Sequence, residues 1–232
     1  MGYILGYMAA DGCVMVDKKR KNNPYSLNIT SVDHEHLCSI KKAFGSEHKI
    51  SLKNNGRGGM AYQLQIRNRI LGEDLIRLGI VPRKTFVLKP IKVSKKYFPD
   101  LVRGFFDGDG SVYLYKVNNT PQIKVGFVCA SLQFIENLNA RLCAELNIPE
   151  KTVHCEKRGD RMPRHTINFY INDCEKLSQF MYKNKPELFL ERKKNIFDSW
   201  KTVSRRHFVK ANYPSKIGWG KGRMNITHQR IV

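Results

Sequence analysis

"VRGFFDGDG" at residues 102–110 ends an apolar, helix-like run with two carboxylates, and "ILGYMAADG" at residues 4–12 aligns with it, setting Asp109 opposite Asp11 at a separation of 98 residues. A carboxylate at the C-terminal end of a helix opposes the helix dipole by roughly 0.3 to 1 kcal/mol. One such run reads as a turn. A second copy at a matching place in a repeat requires another explanation.

The repetition extends past the two runs. Behind the first, a hairpin is expected over about 13–30 and then a helix in "DHEHLCSIKKAF", where Leu37, Ile40 and Phe44 share a face. Behind the second, a hairpin over about 111–129 precedes "LQFIENLNARLCAELNI", with Phe134, Leu138 and Leu142 on one stripe. "YQLQIR" alternates Leu64 and Ile66 against Gln63, Gln65 and Arg67, and "TINFYI" alternates Ile167, Phe169 and Ile171 against Thr166, Asn168 and Tyr170. Each is the pattern of a half-buried strand. Helical patterns close both halves near 70–79 and 173–183. The expected fold class is α+β, two tandem α-β-β-α-β-β-α repeats over residues 1–98 and 99–199, followed by a basic tail at 200–232.

Residues four apart share a helix face. Gly2, Gly6 and Ala10 form a small-residue stripe in the first run, and Gly104 and Gly108 form one in the second. Two such stripes allow close helix packing, which brings the run ends together. Gly12 and Gly110 are then expected as left-handed caps, with Asp11 and Asp109 side by side. A divalent cation removes both the dipole penalty and the mutual repulsion, and hard oxygen donors suit Mg²⁺, with Mn²⁺ as the substitute. A calcium-binding loop starting at Asp107 would need Glu at its twelfth position, where Asn118 stands.

The formal charge of +21 points to a polyanionic partner or a membrane surface. No apolar stretch approaches the ~20 residues of a spanning helix, so the expectation is no membrane partner and an intracellular location, in a bacterial or archaeal cytoplasm or an organelle. The charge is segregated. Residues 48–71 carry Lys49, Lys53, Arg57, Arg67 and Arg69 with no acid, whereas Asp33, Glu35, Glu73, Asp74, Glu136 and Glu145 fall in helical segments. The strands are therefore read as the phosphate-facing surface. Cysteines at 13, 38, 129, 143, 155 and 174 form no Cys-x-x-Cys pair and are read as small core residues in a reducing compartment.

"LGYMAADG" and "VRGFFDGDG" resemble the two signature helices of the LAGLIDADG homing endonucleases, in the single-chain form whose two repeats make a pseudo-twofold monomer. The resemblance spans about residues 1–199 and lacks the splicing residues of an intein. It implies a metal-dependent, intron-encoded type of DNA endonuclease whose antiparallel β saddle grips a long, non-palindromic double-stranded site. It assigns the metals to Asp11 and Asp109 with the carbonyls of Ala10 and Gly108, and places a basic catalytic residue near each: Lys84, and Lys193 with Arg192 and Lys194 as alternatives. Lys53 and Arg57 are the expected phosphate contacts. Asn28, Gln63, Gln65, Arg67, Lys124 and Asn168 are the expected base readers, since Arg pairs with guanine and Asn or Gln with adenine. The rival reading is an RNA maturase bound to intron RNA, or a DNA-binding protein that does not cut. The halves differ at the sixth position of the motif, Asp107 against Ala9, which is not the family's metal ligand. Tyr7, Met8, Phe105 and Phe106 are expected in the core, and His34 and His36, two apart, are expected on different faces and solvated.

Overall fold

The computed structural model describes residues 1–54, 59–118, 120–159 and 161–208. The expected order appears twice. The first repeat runs α1 (Gly2–Ala10), β1 (Gly12–Val16), β2 (Tyr25–Ser31), α2 (His34–Ala43), β3 (Ile50–Asn54), β4 (Met60–Arg67) and α3 (Arg69–Arg77). The second runs α4 (Phe98–Asp109), β5 (Gly110–Val117), β6 (Thr120–Cys129), α5 (Leu132–Leu146), β7 (His154–Arg158), β8 (Arg161–Tyr170) and α6 (Ile171–Tyr182). A further helix, α7 (Glu191–Phe208), continues through residue 199 into the stretch read as tail; residues 209–232 lie outside the described residues.

Each repeat builds a four-stranded antiparallel sheet of the same topology, β1-β2-β4-β3 and β5-β6-β8-β7. Strand alternation divides each sheet into two faces. In the first, Val14, Leu27, Ile29, Leu64 and Ile66 are buried toward the helices. In the second, Val112, Ile123, Val125, Phe127, Ile167 and Phe169 do the same. Both sets join one continuous hydrophobic core through α1 and α4.

The two signature helices meet along the small-residue stripes. A Cβ on Gly6 would lie 2.8 Å from the backbone N of Phe105 and 2.9 Å from the carbonyl carbon of Leu101, and closer still to its oxygen. The second helix mirrors this: a Cβ on Gly104 would meet the N of Tyr7 at 2.8 Å and the carbonyl carbon of Tyr3 at 2.9 Å. Backbone thus rests on backbone, as only glycine permits. Because the approach is that close, α1 is enclosed, and Tyr3 through Ala9 are all buried.

Two expectations about the chain path are corrected. Gly12 and Gly110 are not left-handed caps: Gly110 is extended at φ −83° and ψ 159°, and neither glycine has positive φ. Each opens a strand that doubles back over the helix it leaves, where a Cβ would strike Met8 at position 12 and Phe106 at position 110. Glycine is needed there for clearance, not handedness. Ile171 does not extend the buried alternation of β8. It begins α6 at φ 28° and is 36% exposed, because the chain leaves the sheet one residue earlier.

Capping fixes several helix starts. Asn68 accepts the N–H of Leu71 at 2.9 Å, and Ser131 that of Phe134 at 3.3 Å. Asp33 holds the cap position of α2, but its carboxylate is taken by Arg192 of α7, with three contacts of 3.1 to 3.2 Å that tie the second repeat to the first. Cys129, Cys143 and Cys174 are buried as expected; Cys13 and Cys155 are exposed and Cys38 intermediate, since their strand and helix positions face outward.

Candidate functional site

The glycine contact between α1 and α4 brings their C-terminal ends together. A Cβ on Gly108 would sit 3.4 Å from the carboxyl carbon of Asp11, so the two ends abut. Asp11 is open to solvent and Asp109 is half-buried. Burial, and then the charge of Asp11, push Asp109 up to about 7, against the pull of Lys84 and Lys193. Asp11, though its residue surface is accessible, moves upward too because the protein packed around its carboxyl group strips away water, opposed by Lys193, Lys84, Arg192 and a hydrogen bond with Tyr7. Being exposed, Asp11 is the member of the pair that more easily keeps its charge.

Two buried lysines answer the acids in pseudosymmetric fashion. Lys84, on a 3₁₀ turn (Lys84–Phe86) beyond α3, donates to the carbonyls of Ala10 at 3.0 Å and Gly12 at 2.7 Å. Lys193, on the first turn of α7, donates to the matching carbonyls of Gly108 at 3.4 Å and Gly110 at 2.6 Å, and also to Phe106 at 2.7 Å and Asp107 at 2.8 Å. The carbonyls of Ala10, Asp107 and Gly108 belong to the last turns of their helices, and those of Gly12 and Gly110 to the strands that follow, so each ammonium also offsets the negative pole of its helix. Burial lowers both lysines, Lys193 to about 8; the charge of Asp109 works against the shift at Lys84 and that of Asp107 against the shift at Lys193. The choice among the neighbours of Lys193 is geometric. Arg192 is engaged with Asp33 and Lys194 with Asp198, and only Lys193 reaches the helix ends.

Oxygen donors converge at this junction: the carboxylates of Asp11 and Asp109 and the carbonyls of Ala10 and Gly108. Such a set fits a hard divalent cation. Among the described residues no group of three or more His, Cys, Asp or Glu gathers to hold a metal ion, so at this junction the two carboxylates would need the carbonyls to complete a set.

Cross-strand pairs point to the same face of a sheet, and the register places the expected nucleic-acid contacts together. Asn28 pairs with Cys13 and Gln65, Ser51 with Gln63, Lys53 with Ala61 and Arg67 with Ser26, so all lie on the face opposite the core. Gln65 donates to Ser26 at 2.8 Å, and Asn28 is buried with its side-chain oxygen unbonded. In the second sheet, Lys124 pairs with Tyr113 and Tyr170, and Asn168 with Gly126, again opposite the core. Lys124 lies 6.0 Å from the ring centre of Tyr113 and 5.6 Å from that of Tyr170, a cation held between tyrosines. Arg57 lies outside the described residues.

His36 corrects an expectation. It is buried, lies 3.0 Å from the hydroxyl of Tyr3, and is held neutral by burial with its pKa down at about 4. His34 is exposed and lies against Tyr62, with ring centres 4.5 Å apart and the planes tilted by 55°. Tyr7, Met8, Phe105 and Phe106 are core residues as expected. Sequence reasoning missed Tyr3, Arg103 and the role of Asp107. The signal was present, since Arg103 and Asp107 are polar residues four apart, within and directly after the apolar run from Leu101 to Phe106 of α4, and share one face of that helix.

A family model of the LAGLIDADG-like domain matches residues 100–179, from α4 into α6. No curated protein matches the chain by sequence. The LAGLIDADG homing endonuclease I-GzeII, solved in complex with its DNA target, superposes with a TM-score of 0.61 at 11% identity, covering 92% of each chain. I-SmaMI, solved on uncleaved DNA in the presence of calcium ions, gives 0.56 at 16%, covering 90% of this chain and 92% of that one. I-CpaMI, bound to uncleaved DNA, gives 0.56 at 14% with the same coverage. The chain has the two-repeat fold of the single-chain LAGLIDADG homing endonucleases, and residues 100–179 of its second repeat match the LAGLIDADG-like domain by sequence as well.

Proposed function

We propose that this protein is an endonuclease that cuts both strands of a long, non-palindromic DNA site as a monomer, with Mg²⁺ or Mn²⁺ as cofactor. The observation that carries this reading is the pairing of Asp11 and Asp109 at the helix junction, each with its own buried lysine. Strands β1 and β5, the edges of their sheets, leave that junction directly. The paired acids therefore stand where the two polar sheet faces begin. Relatives in fold that are solved on DNA, one with calcium ions, agree with such a partner and with a divalent cofactor. Among the described residues, no helix is long and apolar enough to cross a membrane.

Asp11 and Asp109, with the Ala10 and Gly108 carbonyls, would hold the divalent metal, which when bound acidifies water and neutralises charge at a scissile phosphate. Lys84 and Lys193 keep a positive charge at each half of the site, fixed in advance by carbonyls that leave the ammonium no freedom to reorganise. Lys53 supplies phosphate attraction, while Asn28, Gln63, Gln65, Arg67, Lys124 and Asn168 present amide and basic groups to base edges. Because the polar faces of the two sheets differ in nearly every residue, each reads its own half-site.

The test is incubation of the full chain with a randomised duplex library and Mg²⁺, then sequencing of the cut ends. One recurring asymmetric site, absent when EDTA is present, is expected. DNA retained but uncut in both Mg²⁺ and Mn²⁺ would overturn the endonuclease reading and turn attention to binding alone or to intron RNA.

A further inference from the structure

The second repeat brings its lysine to the junction by a longer route than the first. Lys84 follows α3 on a single turn, whereas Lys193 arrives after the segment 183–190 and on a new helix. Two buried polar residues on one face of α4 hold that route. Arg103 donates to the carbonyls of Met181 at 2.8 Å and Leu188 at 2.9 Å, gripping both ends of the segment. Asp107, 2% exposed, accepts the N–H of Leu190 at 2.8 Å, immediately before α7 begins. The hydroxyl of Tyr3, from the other signature helix, donates to the same carboxylate oxygen at 2.7 Å. The second oxygen is buried without a hydrogen bond.

The first repeat has Leu5 and Ala9 at the matching positions, and neither side chain can make such bonds. The polar pair occurs only where the long route does. A carboxylate buried with one oxygen unbonded is costly, and the cost falls at the point from which Lys193 is aimed.

We propose that Asp107 is a positioning residue for Lys193: it fixes the start of α7 so that the ammonium reaches the end of α4, and it does so for the second half of the site alone. This rests on the endonuclease reading for its catalytic consequence, though not for its geometry. Asp107→Ala makes the motif match the first repeat and removes the acceptor. Asp107→Asn keeps the oxygen that Leu190 and Tyr3 share.

Two measurements on the full chain test it. The first is acetylation of lysines by an amine reagent without DNA, read by mass spectrometry. In Asp107→Ala the labelling rate of Lys193 should rise about tenfold through local opening, with Lys84 within about twofold of wild type, and Asp107→Asn should restore protection. A parallel rise at both lysines, or none at either, would overturn the proposal. The second is cleavage of a library-selected duplex with a different dye on each strand. Asp107→Ala should cut one strand at the wild-type rate and the other at least about tenfold more slowly, equivalent to ~1.4 kcal/mol, so that nicked DNA accumulates; equal slowing of both strands would overturn it. Wild type that cuts no duplex defeats the endonuclease reading instead, and the labelling result then decides the positioning role.

Discussion

Replacing Gly6 with alanine tests the helix junction on which the whole site depends. The new methyl carbon would fall 2.8 Å from the N of Phe105 and 2.9 Å from the carbonyl carbon of Leu101, whereas ordinary contact begins at 3.4 Å. Because the methyl comes closer still to the carbonyl oxygen of Leu101, the helices must part by about 1 Å or more, and since the obstruction is backbone, no side chain can swing away. Overpacking of a core costs about 1 to 3 kcal/mol, and this case belongs at the upper end. At ~2 to 4 °C per kcal/mol for a chain of this size, 3 kcal/mol lowers Tm by about 6 to 12 °C. Gly104→Ala meets the mirror-image obstruction and should cost the same within about 0.5 kcal/mol. Gly45→Ala is the control, a left-handed position at φ 61° with nothing within 4 Å, where only about 1 kcal/mol of backbone preference is lost. Urea unfolding followed through the buried Trp200 measures all three. If Gly6→Ala and Gly104→Ala prove no more costly than Gly45→Ala, the close packing of α1 on α4 is wrong.

Three further outcomes follow from the geometry. The neutral, buried His36 has a folded pKa of about 4, below its unfolded value of ~6.5, so its contribution is present above pH 6.5 and is lost as pH falls from there toward 4. That loss amounts to on the order of 3 kcal/mol. Asp109, raised to about 7, acts with the opposite sign over the same range, so the quantity to measure is the stability difference between wild type and His36→Gln, which should shrink on acidification; a difference that is flat with pH would contradict the assignment. Substituting Lys53 should flatten the log-log salt dependence of DNA binding by up to about one unit, and an unchanged slope would move the DNA off that sheet face. Changing Gln65 should alter base preference only on one half-site and Asn168 only on the other, by about 1 to 3 kcal/mol in a randomised-site cleavage assay, whereas equal effects on both halves would point to a symmetric assembly of two chains.

The repeat, the element order and the location of the acids were legible because they depend on spacing, which a linear chain displays directly. Gly6 and Gly104 were legible for the same reason. The conformation at Gly12 and Gly110 was not, because a glycine at a helix end serves handedness and clearance equally well, and only the returning strand decides between them. His36 carried a signal that was passed over: it lies four residues before Ile40 and therefore on the buried face of α2. Lys193 carried one too. Together with Phe197 and Trp200 it falls on the apolar stripe of α7, a place where a lysine needs buried acceptors, while Arg192 and Lys194 point elsewhere. The pairing of Asp33 with Arg192, and of Asp107 with Tyr3 and Leu190, joins residues far apart in sequence. No local pattern announces such contacts.

The central claim, that Asp11 and Asp109 hold the metal that cuts DNA without holding the DNA itself, is tested most directly by Asp11→Asn and Asp109→Asn on the selected duplex, with binding and strand cleavage measured in the same samples. Both variants should bind within about threefold of wild type, a difference under ~1 kcal/mol, and lose double-strand cleavage in Mg²⁺ and in Mn²⁺. In EDTA, Asp109→Asn should melt at or above the wild-type temperature, since it removes a half-buried carboxylate repelled by Asp11. Variants that bind poorly yet cut every bound duplex at the wild-type rate would contradict the account.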